Sequence, residues 1–413
     1  MKVVWIGHFV PYPPRGGAPQ RSFHLLREVA RRGELHFVGV SLRGHQRRRR
    51  DVAEARRGLA EFCRSVTILP VRLRSSALGK AWSALRAMAT GRSYNETWLD
   101  CRASREIVRR VLAHAAPDVV HVDSIMVADL LPSGCPAAAV LNHHNVESHM
   151  MERRAQGEEG WRGAFMAREA RLLRELERSR AARFGRHVVV SDLDAARLRE
   201  TAPAARCVTV PNGVDVDYFR PSDSPEEPAT LVFCGRMNWY PNDVAMRRFV
   251  RELWPEIRRR NAEARLTVVG MNPTTGLLAA AAGDRGVRVV GFVEDVRPWI
   301  AAASVYVCPI LDGGGTRLKL LDAMALGKAI VATPRAAGGL EVEDGREMVI
   351  REFGPPFVEA VVGLLSSPET RKPLGSAARR TAVARYAWRG LGERLVAAYE
   401  EVMEEARARN GRS

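Results

Sequence analysis

The chain has 413 residues, 46% hydrophobic and 27% charged, which excludes a disordered polymer and, at roughly 100–200 residues per domain, predicts two cores. Its formal charge of +17 comes from 59 arginines and five lysines against 47 acidic residues. An anionic partner is expected, although the scarcity of lysine points to genome composition as one source of the excess.

The start, MKVVWIGHFV, lacks the charged, apolar and small-residue order of a signal peptide, and apolar runs such as Ala301 to Ile310 fall short of the ~18–20 residues that cross a bilayer. A cytoplasmic chain is expected. Val-rich runs at Val3 to Ile6, Leu35 to Val40, Val66 to Leu69, Val119 to Val122, Ala138 to Leu141 and Val188 to Val190 alternate with helix-like stretches. That is the rhythm of βαβ units on a buried parallel sheet. Arg43 to Arg57, with its QRRRR run, reads as a solvated basic loop entering a helix. Ser76 to Tyr94 spaces Leu78, Trp82, Leu85 and Met88 at helical period among Lys80, Arg86 and Arg92, which suits either a helix on an anionic membrane or one facing a core. Glu147 to Arg183 reads as a broken pair of surface helices. Pro203 to Pro228 is rich in Pro, Gly and Asp and reads as a linker. A second series of strands follows at Thr230 to Cys234, Leu266 to Val269, Val287 to Val290, Val305 to Cys308 and Ala329 to Ala332. The expected architecture is α/β, two Rossmann-like doubly wound domains at 1–203 and 204–388, with ligands at the carboxyl ends of the strands and in a cleft between the domains.

Four segments carry chemistry. Gly16-Gly17 follows the first strand and precedes a helix expected near Gln20; its backbone either approaches a phosphate or sugar, or makes a turn with positive φ. GxGxxG spacing is absent there, which argues against a redox enzyme. His143, His144 and Asn145 directly follow Ala138 to Leu141, where an open sheet binds ligands, and only one of the two histidines is expected to face the cleft. Nearby carboxylates at metal-ligand spacing are absent from that segment, so no metal is expected. Gly235-Arg236 ends the strand Thr230 to Cys234, where a guanidinium can grip a diphosphate in bidentate fashion, and Asn242 is expected to cap the following helix. Most specific is GGGTRLKLLD: Gly313, Gly314 and Gly315 open a helix at Thr316, and Arg317 and Lys319 add cations where the helix dipole disfavours them, so an anion is expected there. Asp322 is placed to accept from ribose hydroxyls. By contrast, Asp215-Val-Asp217 reads as a turn, Glu341, Glu343 and Asp344 as a solvated turn, and no GxSxG elbow holds a nucleophile. The six cysteines show no CxxC or Cys/His spacing, so neither a disulfide framework nor structural zinc is indicated.

With these residues on the page, the chain resembles a GT-B fold glycosyltransferase of the family 4 type. The likeness runs through PYPPRGGAPQR, LNHHNVES, VPNGVDVDYFRP, CGRMNWYPN, GGGTRLKLLDAMALGKAIVAT and the terminal YAWRGLGERLVAAYEEV. It implies two domains facing a central cleft, the first completed by a C-terminal helix near 389–413. It also implies hexosyl transfer from a nucleoside diphosphate sugar to an acceptor hydroxyl, retaining and metal-independent, with no cofactor. Arg236 and Lys319 would hold the diphosphate, Gly313 to Gly315 and Thr316 would donate backbone N–H groups to it, and Asp322 would hold the ribose. Phe292 and Val293 would flank the base, Gly16 and Gly17 would approach the donor, and His144 would contact the transferred sugar. The usual motif has two glutamates eight positions apart; here Gly314 and Asp322 stand in their places. A lysine often found about six residues after the GR arginine is replaced near Asn242. The GGGTRLK subgroup resembled is linked to polysaccharide biosynthesis, so a glycan, lipid-linked or small-molecule acceptor and an anionic membrane surface are the expected partners. Nucleic acid is not expected, since no stacking or helix-turn-helix motif appears. The alternatives are a GT-B nucleotide-sugar epimerase, which would need a carboxylate and histidine set for proton abstraction, and a non-catalytic polyanion binder.

Overall fold

A computed structural model describes all residues except 42–48, 71–76, 95–96, 98–101, 223–224, 313–316 and 411–413. Most of QRRRR, and all of Gly313, Gly314, Gly315 and Thr316, lie outside the described residues. Met1–Pro211 together with Leu391–Ser413 form one compact unit, and Asn212–Gly390 form another.

The first unit is built on seven parallel strands: β1 (Lys2–Gly7), β2 (Glu34–Ser41), β3 (Ser65–Pro70), β4 (Val119–Asp123), β5 (Ala138–Asn142), β6 (Arg186–Val189) and β7 (Cys207–Thr209). Their order is β3-β2-β1-β4-β5-β6-β7. Val3, Val4, Trp5 and Ile6 of β1 and every residue of β4 are buried, because parallel strands covered by helices on both faces have no wet side to alternate with. The chain winds outward from β1 to β3, returns, and winds the other way from β4, so its switch point lies between β1 and β4. There Gly7 sits opposite Asp123.

The second unit repeats the plan with six strands: β8 (Glu227–Cys234), β9 (Arg265–Val269), β10 (Val287–Gly291), β11 (Ala303–Cys308), β12 (Ala329–Ala332) and β13 (Val349–Ile350), in the order β10-β9-β8-β11-β12-β13. One core runs from Leu231, Val232 and Phe233 through Val305 to Cys308 and Ile330 to the helix Pro355–Ser366. The switch point here lies between β8 and β11.

Three expectations are corrected. β7 and β13 are strands that periodicity does not reveal, being three and two residues long, half-buried and at a sheet edge. Because β7 pairs with β6, Pro203 to Pro228 is not a plain linker. The first unit reaches Pro211 and the second begins at Asn212, eight residues beyond the 203/204 boundary, with Val214 N donating to Tyr386 O at 2.8 Å. The pair Glu147–Gln156 and Gly160–Ala181 is present but is no mere surface feature, since Glu147, Glu169 and Glu177 are buried.

Candidate active site

At the switch point of the first sheet, β1, β4 and β5 end in polar residues, and the helix Gly17–Ala30 brings two more. Gly16 precedes that helix with φ at 99°, a backbone that glycine adopts without strain. The helix therefore starts at Gly17, earlier than Gln20, and turns Arg21 and Ser22 toward the sheet. Ser22 Oγ donates to Asp123 Oδ2 at 2.6 Å and Asn142 Nδ2 to Asp123 Oδ1 at 2.6 Å. Arg21, 1% exposed, donates to Asn142 Oδ1 at 3.1 Å and to Pro211 O at 2.9 Å. His8 Nδ1 lies 2.7 Å from Asp123 O, and His144 Nε2 lies 2.9 Å from Asp123 Oδ1.

Burial, with His144 as a like charge, lowers the His8 pKa to about 4, and burial lowers His121 to about 3. Burial also lowers Arg21 to about 10, against the pull of Asp123. For Asp123 itself burial acts upward, but His144, His121 and His8 outweigh it and hold the carboxyl below its usual range. His143 is not part of this cluster. It is buried, and its Nε2 faces His187 Nδ1 at 3.0 Å, so His144 is the histidine of LNHHN that joins the polar group.

The segment LNHHNVES holds no carboxylate at metal-ligand spacing, but strand order brings one from elsewhere. Asp123 ends β4, next to β5 in the sheet, and atoms of His8, Asp123 and His144 come within 4.8 Å of one another. Ser22 and Asn142 each donate to one Asp123 oxygen, which fixes the direction of the carboxylate. Behind it, His121 stacks on Trp5 with ring centres 3.6 Å apart, and its Nδ1 lies 2.7 Å from Tyr399 Oη on the last helix. His8, Arg21, Ser22, Asp123 and Asn142 were not anticipated. The available signal was VVHVD, in which two polar residues alternate inside an otherwise buried strand.

At the second switch point, β8 delivers Gly235 and Arg236, and the helix Leu318–Ala325 delivers Lys319 and Asp322. Asn242 is not a cap: the helix Tyr240–Arg248 begins two residues earlier, and the Asn242 side chain is a clamp. Its Nδ2 donates to Arg236 O at 2.8 Å, while its Oδ1 accepts from Lys319 Nζ at 2.5 Å. The ammonium also stands 4.4 Å from the centre of the Phe233 ring. A methyl group on Gly235 would come within 2.8 Å of Asn242 Nδ2 and 2.9 Å of Lys319 Nζ, so this strand end must be bare for Lys319 to reach it.

Removal from water lowers the Lys319 pKa to about 8 and raises Asp322 to about 7, opposed there by Lys319. Arg236 extends an exposed guanidinium with no ion pair among the described residues. Arg317, at the helix cap, donates to Asp312 O at 2.9 Å. The arrangement can receive an anion: two cations at the end of the central strand, one of them held by an amide and in ion-pair contact with no carboxylate among the described residues. Phe292, 55% exposed, and half-buried Val293 follow β10 at the same end of the sheet. Asp215 Oδ1 accepts from Asp217 N and Tyr218 N, so DVD is a turn, as read.

Two doubly wound parallel sheets, each with its polar residues gathered at a switch point, are the architecture expected of a GT-B glycosyltransferase. Comparison with known proteins takes this further. The model for Glycosyltransferase Family 4 matches residues 15–218, and the model for Glycosyl transferases group 1 matches 228–367. The chain belongs to the family 4 glycosyltransferases. It is 29% identical over 233 residues to a phosphatidyl-myo-inositol mannosyltransferase of Mycobacterium tuberculosis, an alignment of 52% of this chain and 59% of that one; the chain thus spans under two thirds of that curated relative. Among solved structures it resembles sucrose-phosphate synthase of Thermosynechococcus elongatus, with TM-score 0.69 and 15% identity over 98% of this chain and 100% of that one. It also resembles Anabaena HepE in complex with UDP, with TM-score 0.67 and 13% identity over 97% and 100%. These structural likenesses show the fold.

Proposed function

We propose that the protein transfers a hexosyl group from a nucleoside diphosphate sugar to an acceptor hydroxyl, with retention at the anomeric carbon and without a metal ion, in polysaccharide or glycoconjugate synthesis. The observation that carries this reading is the Lys319 ammonium held by Asn242 at bare Gly235, beside exposed Arg236. In the reaction the bond from the anomeric carbon to the diphosphate oxygen breaks, a bond to the acceptor oxygen forms, and the hydroxyl proton passes to the departing phosphate. Arg236 and Lys319 stabilise the charge that grows on the leaving group. Gly313 to Gly315, Thr316 and Arg317 add donors, Asp322 takes the ribose, Phe292 and Val293 flank the base, Gly16 and Gly17 approach the donor, and His144 contacts the transferred sugar. The relative's name, a mannosyltransferase acting on phosphatidyl-myo-inositol, supports a hexose donor and keeps a lipid-linked acceptor alongside glycan and small-molecule ones.

The epimerase reading retains one observation in its favour, the joining of Asp123 to His8 and His144. The two readings part on the product. Incubation with UDP-, GDP- and dTDP-sugars, scoring melting temperature, nucleotide release and the anomeric configuration of the product, should single out one donor by a rise in melting temperature. Nucleotide release that requires an acceptor supports transfer; an isomerised nucleotide sugar with no acceptor requirement replaces it. Excess EDTA should leave the rate within about a factor of two, and loss restored by Mn²⁺ or Mg²⁺ would remove metal independence.

A further inference from the structure

We propose that Asp123 is a positioning residue that fixes His144 in the tautomer protonated at Nε2, so that Nδ1 offers its lone pair to a hydroxyl of the bound substrate. This rests on the reading that His144 touches the transferred sugar, and it adds what that contact is and what sets it.

The argument begins with Asp123. It is 1% exposed, and its two oxygens point in fixed directions because Ser22 Oγ holds Oδ2 while Asn142 Nδ2 holds Oδ1. Asn142 cannot rotate to offer its carbonyl instead, since Arg21 NH2 donates to that oxygen. The carboxylate is therefore locked from two elements, the helix Gly17–Ala30 and β5, before His144 is considered. His144 Nε2 lies 2.9 Å from Oδ1, off the ideal hydrogen-bond direction. At that distance an unprotonated nitrogen would set a lone pair against an anionic oxygen in a water-poor setting, so the proton belongs on Nε2.

The neighbours leave Nδ1 to a ligand. His8 spends its Nδ1 proton on Asp123 O, and its ring meets that of His144 edge-on at 5.4 Å between centres. Phe9 flanks the same ring at 5.8 Å. His143 is turned away toward His187. Among the described residues no protein group bonds His144 Nδ1, and the side chain is 8% exposed. An imidazole with its proton on Nε2 accepts at Nδ1 from a sugar or acceptor hydroxyl, whereas the opposite tautomer could only donate to that hydroxyl's oxygen.

The test reads the tautomer first, on the whole ligand-free protein, by ¹⁵N NMR of labelled histidine, with the His144 signals assigned as those missing in His144→Gln. The expected result is a protonated Nε2 and an unprotonated Nδ1. A protonated Nδ1 in the neutral ring overturns the proposal whatever the activity. In Asp123→Asn, which keeps the shape and removes the charge, the tautomer should become mixed, and kcat should fall by about 10²-fold with KM changed by less than about threefold. If that variant does not fold, Ser22→Ala, which frees one carboxylate oxygen, should show the same mixing to a smaller degree. An unchanged tautomer and unchanged kcat in the variant that folds overturn the positioning role. Full activity in His144→Gln with the expected tautomer in the wild-type protein would instead remove the parent reading of His144 and leave the Asp123 effect on the ring standing.

Discussion

Glu147 shows how much a single side chain can hold against its surroundings. It is buried beside Glu177, its Oε2 has no hydrogen-bond partner among the described residues, and burial followed by the Glu177 charge raises its pKa to about 7. An unfolded glutamate has lost its proton well below that. Across pH 4.5 to 7 the unfolded chain ionises here and the folded one does not, so stability falls as pH rises, and the deficit is constant above about pH 7. Glu147→Gln removes it. Compared by urea unfolding, the variant should gain on the order of 3 kcal/mol more over wild type at pH 8 than at pH 4.5, and equal differences at both pH values would show that Glu147 ionises freely. Lys319 is the corresponding case for function. Lys319→Ala and Arg236→Ala should each lower kcat/KM by ~10²-fold or more. Asn242→Ala, which releases the ammonium without deleting it, should cost less than either, and steady-state kinetics with the identified donor checks the ranking. None of these pairings was legible in the sequence. Asp123 and His144, or Asn242 and Lys319, meet only because particular strands are neighbours, and residue spacing does not encode strand order. Gly235, Arg236 and Lys319 were legible as candidates because each follows a strand or opens a helix, positions that local patterns mark, and Asp322 because it lies one turn further along the same helix.

Among elements, the buried strands were the easiest to read and the helix Ala77–Thr90 the most ambiguous. Val-rich runs such as Val3 to Ile6 and Val305 to Cys308 announce themselves because both faces are covered, whereas β7 and β13 contribute too few residues to form a pattern. The helix does not turn its apolar stripe to the core: small Ser83 and Ala87 face inward, with Arg168 NH2 donating to Ala87 O at 3.0 Å, while Trp82, Leu85 and Met88 are 67%, 62% and 64% exposed. A core-facing helix would reverse that arrangement. An outward apolar stripe with Arg86 beside it suits an anionic bilayer surface, although no described helix is long and apolar enough to cross one. Co-sedimentation with anionic vesicles is expected at 0.1 M salt and should weaken toward 1 M, as the Debye length shrinks from about 10 Å to about 3 Å. Replacing Trp82 and Leu85 with serine should lower binding by about 10-fold or more, given ~25 cal/mol per Å² of apolar surface. Protein that stays in the supernatant with anionic lipid at low salt would refute membrane association and leave the transferase reading untouched.

At the scale of the molecule, one helix ties the end of the chain to its beginning. Trp388–Asn410 brings Tyr399 to His121, and its Glu401 and Glu405 to Arg186 at 3.0 and 2.8 Å. Among the described residues His121 Nε2 has no partner, so Tyr399→Phe would leave the buried ring with none of them at either nitrogen. A loss of about 1–3 kcal/mol is expected by urea unfolding, and an unchanged midpoint would mean that stacking on Trp5 holds the ring alone. The discontinuity of the first unit also orders events on the ribosome. Asn212–Gly390 is contiguous, so its core is drawn from one stretch of chain. The first unit cannot seat Tyr399 on β4 until synthesis has passed through the whole of the second. The sheet that is made first therefore stands uncovered at the Tyr399 seat while another entire core is added to the chain.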